Sequence, residues 1–135
     1  MYTGSCFCGA VRYSYDGELA PTALCHCLDC RKISGGAFSV NLKVSGDTLR
    51  ITAGTPKTYT CVGGSGKKVV NTFCGDCGST LWREMELDPS ARVLKVGTLD
   101  DVEALHKLKP GVELYTARRV EWLTEQPGTV QKEGL

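Results

Sequence analysis

Lys67-Lys68-Val69-Val70-Asn71-Thr72-Phe73-Cys74-Gly75-Asp76-Cys77-Gly78-Ser79-Thr80-Leu81-Trp82-Arg83-Glu84-Met85 is the stretch from which the fold is read. Its flanks, 67–73 and 80–85, are rich in β-branched and aromatic residues and read as strands. Between them stand two cysteines three positions apart, a spacing that lets one turn offer two thiolates to a single ion. Gly75 and Gly78 permit the positive φ angles that turn backbone N–H groups toward the sulfurs. The segment predicts a β-domain whose loops carry metal ligands.

The same grammar extends in both directions. Val11, Tyr13 and Tyr15 alternate with polar residues, and 37–44, 48–53, 57–62, 92–97, 112–116 and 120–123 are further strand candidates. Gly63-Gly64-Ser65-Gly66 reads as a hairpin tip between 57–62 and 67–73. One short helix is expected over about 100–108, started by Asp100 or Asp101 and stopped at Pro110-Gly111. No repeat or linker interrupts the chain. It reads as one all-β domain over 1–125, with at most one short helix, and a polar tail over 126–135 that should fray.

Eight of the 135 residues are cysteine, and seven fall into three tight groups: Cys6 and Cys8; Cys25, Cys27 and Cys30; Cys74 and Cys77. Disulfides gain by closing long loops, whereas metal sites gather thiolates at short range. Clustered cysteines therefore read as zinc ligands. Cys6-Phe7-Cys8-Gly9 and Cys74-Gly75-Asp76-Cys77-Gly78 supply two thiolates each and together make a closed four-cysteine site. The middle group supplies three, the count of a catalytic zinc with an open fourth position. Cys61 could close that site instead; spacing leaves both arrangements open.

Composition narrows the classes. The formal charge is +1, so no broad attraction to nucleic acid or acidic lipid is expected. Apolar residues are 41% of the chain, enough for an ordinary core. No apolar run exceeds three residues, which excludes a transmembrane helix and gives no sign of a secretory leader. A reducing, cytoplasmic setting is the expectation.

Three segments together carry a family resemblance. They are Gly4-Ser-Cys6-Phe-Cys8-Gly9-Ala-Val11-Arg-Tyr13, then Cys25-His-Cys27-Leu-Asp-Cys30-Arg31-Lys32-Ile-Ser34-Gly35-Gly36-Ala-Phe38, then Phe73-Cys74-Gly-Asp-Cys77-Gly78-Ser-Thr-Leu81-Trp82. In this order they resemble the glutathione-dependent formaldehyde-activating enzyme family, which also contains centromere protein V. The likeness covers roughly residues 2 to 100, and Trp122 also resembles a family position. It implies an Mss4-like (β-tent) fold of short antiparallel strands with two zinc ions per chain. Cys6, Cys8, Cys74 and Cys77 would hold the structural zinc, and Cys25, Cys27 and Cys30 the catalytic one. It also implies carbon–sulfur lyase activity, run as condensation of glutathione with formaldehyde, so the partners would be a small thiol and a small carbonyl compound. Cys61 falls on no ligand position of the family.

The residues around the triplet extend this reading. Arg31 and Lys32 directly follow the third ligand and are candidates to attract the carboxylates of glutathione. Ser34 and Gly35, with Gly36, are candidates for a small anion nest. His26 and Asp29 are the local candidates for a general base. Trp82 and Trp122 read as core, and His106 as surface. Two other functions compete: a non-catalytic zinc-stabilised binding module, and a thiol-redox enzyme with Cys61 as nucleophile. The fourth ligand of the triplet's metal discriminates the first of these from the lyase.

Overall fold

The computed structural model describes residues 1–135. β1 (Tyr2–Ser5), β2 (Arg12–Tyr15) and β5 (Leu49–Ala53) form a three-stranded antiparallel sheet in the order β1-β2-β5. The remaining strands are β3 (Thr22–Cys25), β4 (Ser39–Ser45), β6 (Lys57–Val62), β7 (Lys68–Phe73), β8 (Thr80–Met85), β9 (Asp88–Lys95), β10 (Pro110–Leu114) and β11 (Val130–Gln131). They make an eight-stranded sheet in the order β11-β10-β3-β4-β9-β8-β7-β6. Successive hairpins build the β6 to β9 half, with Tyr59 opposite Asn71, Asn71 opposite Arg83 and Arg83 opposite Val93. The other half needs distant partners: β4 pairs with β9, setting Asn41 opposite Lys95, and β10 lies parallel to both β3 and β11.

Strand alternation gives the large sheet two unlike faces. On one, Val40, Leu42 and Val44 of β4 share a surface with Leu94 of β9 and Trp82 of β8. The small sheet covers this face through Tyr13 and Tyr15, and these residues belong to one buried cluster. Tyr13 meets Trp82 edge-on, with ring centroids 5.9 Å apart and planes at 85°, a favoured geometry for two aromatic quadrupoles. The opposite face is mixed, with Val69, Met85 and Val93 standing among polar side chains. Asn41, Lys43, Arg83 and Lys95 from that face line a cavity.

Several expectations meet the structure differently. The helix expected over 100–108 is a single turn, α2 (Ala104–Lys107). A longer helix, α1 (Leu28–Ser34), lies where none was read, since seven residues are too few to display a helical period. The strand expected over 120–123 is a turn closed by the Leu123 N–H donating to the Val120 carbonyl. Trp122 on that turn is 77% exposed and not part of the core, whereas Trp82 is buried. The segment expected to fray is held: β11 pairs with β10, and the Tyr115 and Thr116 N–H groups donate to the carbonyls of Gly134 and Lys132. β10 also makes the sheet mixed rather than wholly antiparallel. No helix is long and apolar enough to cross a membrane.

Candidate functional site

The sulfurs of Cys6, Cys8, Cys74 and Cys77 lie within 4.8 Å of one another. Cys8 Sγ stands 3.6 Å from Cys6 Sγ and 3.8 Å from Cys74 Sγ. Four sulfurs placed tetrahedrally about 2.3 Å from a metal would be about 3.8 Å apart, so the cluster has the dimensions of a four-thiolate site. Its two halves come from the β1–β2 and β7–β8 turns. Gly9 and Gly78 each follow the second cysteine of a half-site and both have φ of +80°. Gly75 does not; a Cβ there would meet the Lys57 side chain at 2.8 Å. The turned backbone delivers donors to the sulfurs: the Val11 N–H to Cys6 Sγ and the Asp76 N–H to Cys74 Sγ. Ser79 accepts from the Phe7 N–H at 2.9 Å, leaving its hydroxyl hydrogen free for Cys77 Sγ at 3.3 Å. That hydroxyl, with neighbouring backbone donors, holds the Cys77 thiol down to about 5. These four residues could hold a metal ion.

The second group forms at the end of β3. Cys25 closes the strand, and Cys27 is the N-cap of α1, its sulfur accepting from the Cys30 N–H at 3.3 Å. Cys30, three positions on, returns to the same side of the helix. All three sulfurs lie within 4.8 Å of one another, and they too could hold a metal ion. Hydrogen bonds from Cys25 and Cys27 pull the Cys30 thiol down to about 2, helped by Lys95, while Cys25 is pushed far up because its partners hold the charge. Burial draws Lys95 below the usual lysine range, and the Cys30 thiolate opposes that shift.

His26 points away from the cysteines that flank it and is fully buried. Its Nε2 lies 2.7 Å from Glu113 Oε1, and its backbone N–H donates to the Leu114 carbonyl. Glu113, also fully buried, accepts further bonds from the Gln126 N–H at 2.9 Å and Gln131 Nε2 at 2.8 Å, with Arg119 at 3.4 Å. Burial works against its charge, but these donors outweigh it and hold the carboxyl down to about 2. The C-terminal segment and the triplet's loop thus share one buried anion.

Cys25, Cys27 and Cys30 open on the cavity, whose volume is about 990 Å³. Cys6, Cys8, Cys74 and Cys77 do not line it. Of the two local base candidates, Asp29 borders the cavity and His26 does not. Arg31, Lys32, Ser34 and Gly35 are also absent from its wall: the Ser34 hydroxyl donates to the Phe38 carbonyl, and the Gly35 N–H closes α1. Lys95, Arg83 and Asn41, which the sequence did not single out, take their place on the wall. Cys61 sits half-buried in β6, outside both sulfur groups. We expect Cys61→Ala to keep its full metal content and activity, because a small apolar side chain fills the same space. Loss of a metal ion in that variant would make Cys61 a ligand, and loss of turnover alone would make it a nucleophile.

Comparison with known proteins agrees with this geometry. A Rhodobacter sphaeroides crystal structure superposes with a TM-score of 0.61 at 23% identity, covering 74% of this chain and 89% of that one, which shows the fold alone. A Halomonas elongata protein that carries the name of glutathione-dependent formaldehyde-activating enzymes is 37% identical over 87 residues, 61% of this chain. The chain spans 55% of that relative's length. The profile of the family so named matches residues 1–118. The chain with these two cysteine clusters therefore belongs to the glutathione-dependent formaldehyde-activating enzyme family.

Proposed function

We propose that the chain is a zinc-dependent carbon–sulfur lyase that joins glutathione, or a related thiol, to formaldehyde or a similar small carbonyl compound. The observation that carries this reading is the difference between the two sulfur groups: three cysteines face a roomy cavity, while all four cysteines of the other group lie outside it. Cys6, Cys8, Cys74 and Cys77 would hold a structural zinc, and Cys25, Cys27 and Cys30 a catalytic one. All-sulfur donor sets of this size favour zinc over harder metals. A zinc ion on three thiolates supplies Lewis acidity at its fourth position and acidifies a thiol arriving there. A reducing compartment suits such thiolates.

The chain's own residues supply the rest. The Cys30 N–H and the α1 turn fix the sulfur positions before substrate enters. The reaction is an addition: the S–C bond forms, the carbonyl π bond is lost, and the thiol proton ends on oxygen, with nothing oxidised and no group released. Asp29 and Tyr115 border the cavity, and either can carry that proton.

Metal analysis of protein purified without chelator is expected to give about two zinc ions per chain. Carbon NMR exchange between labelled formaldehyde and S-hydroxymethylglutathione should accelerate over the spontaneous rate. Two zinc ions without acceleration would leave a zinc-stabilised binding module, and one zinc ion would remove one of the two sites.

A further inference from the structure

We propose that Lys95 and Arg83 form an anchor for a substrate carboxylate beside the cysteine triplet, so that the site selects thiols carrying a carboxylate. The proposal rests on the lyase reading above and deepens it to the substrate's charge.

Placement comes first. Lys95 ends β9, and Arg83 of β8 faces Val93, two residues earlier in the same strand. The two cations are therefore diagonal neighbours on the cavity-lining face of the large sheet. Both line the cavity onto which Cys25, Cys27 and Cys30 open.

Their partners are neutral. Lys95 Nζ donates to Asn41 Oδ1 at 2.6 Å, and Arg83 Nε donates to Asn71 Oδ1 at 3.0 Å. Neither takes part in any of the ion pairs of the chain. Asp88, an acid on the same wall, is held by Lys43 at 2.7 Å. Asp29, the other acid there, bonds to neither cation. Two like charges on one sheet face, partly withdrawn from water and without a carboxylate, are an arrangement that an incoming anion completes.

The amides do more than occupy the cations. Asn41 Nδ2 donates to the Ala23 carbonyl and to Ser39 Oγ, which fixes its oxygen toward Lys95. Because Arg83 spends Nε on Asn71, its two terminal nitrogens make no bond within the chain. That pair is the edge by which a guanidinium grips a carboxylate. A carboxylate seated here would hold the rest of a small thiol within the cavity that the triplet shares.

A competing role for Lys95 is to offset the charge of the thiolates, and substrate charge separates the two. We would measure calorimetric binding of glutathione and of its diethyl ester, which keeps the thiol and loses both carboxylates, to the zinc-loaded protein without formaldehyde. In Lys95→Met, affinity for glutathione should fall about tenfold or more, while affinity for the ester stays within about twofold. Arg83→Gln should show the same selective loss, and it decides the matter if Lys95→Met does not fold. An equal loss for both ligands, or no loss for either, overturns the anchor. If neither thiol binds the wild-type protein, the lyase reading fails on its own; glutarate binding that Lys95→Met or Arg83→Gln abolishes would still uphold the anchor, and no glutarate binding would overturn it.

Discussion

Cys74→Ser or Cys77→Ser is expected to unfold the protein. The four-cysteine group ties the β1–β2 turn to the β7–β8 turn, and so ties the small sheet to the large one across the core. A structural zinc contributes about 10–16 kcal/mol of apparent binding energy in isolated zinc-finger peptides. A whole domain is stable by only about 5–15 kcal/mol, so losing the metal removes most or all of the margin. Cys27→Ser and Cys30→Ser should behave differently. Their group is built on the end of β3 and the first turn of α1, and Glu113 holds that loop through His26 without any metal. These variants should stay folded, keep one zinc ion and lose turnover. Circular dichroism and metal content, measured together on all four, check this; four variants that unfold alike would make the triplet structural.

Glu113→Ala should be the most damaging substitution away from a cysteine. It removes the acceptor shared by His26, Gln126, Gln131 and Arg119, and leaves donors buried without a partner. Breaking a buried pair by deleting one member costs roughly 3–5 kcal/mol, which in a domain of this size lowers Tm by roughly 10–20 °C. The pH dependence has a definite sign. The folded carboxyl titrates at about 2, below its ordinary value of 4.5, so its contribution is complete above pH 4.5 and is lost as the pH falls from there toward 2. Glu113→Gln, which cannot titrate, should lose less stability than the wild type over that interval. Acid unfolding curves for the two proteins test this, and curves of equal steepness would contradict it.

The parts of the molecule that were legible in the sequence are the ones built from near neighbours. A two- or three-residue spacing between cysteines is itself the geometry of a half-site, so the seven clustered cysteines could be sorted into their two groups before their sulfurs were seen together. β6, β7 and β8 follow one another through short glycine-bearing turns, and β-branched and aromatic content within each stretch sufficed to place them. The parallel joins of β10 to β3 and β11 are different, because nothing near Val112 in sequence announces Ala23 or Val130 as its partner. The tail therefore read as loose, although Lys132 and Gln131 are bonded to Glu113. Glu113 itself is one carboxylate in a strand and carries no local signal of burial.

The cavity wall is assembled from distant residues in the same way. Arg31 and Lys32 follow Cys30 in sequence, but α1 turns them off the wall that Cys30 faces. Lys95 and Arg83, 65 and 53 positions away in the chain by subtraction from Cys30, arrive through sheet register.

The central claim is that one metal site is closed and the other receives a thiol. Cadmium NMR of protein whose zinc has been replaced by cadmium reads the two sites separately. Two resonances are expected, of which one stays fixed and the other shifts when glutathione is added, and the resonance that shifts should be absent from Cys30→Ser. A single resonance, or two that ignore glutathione, would contradict the account.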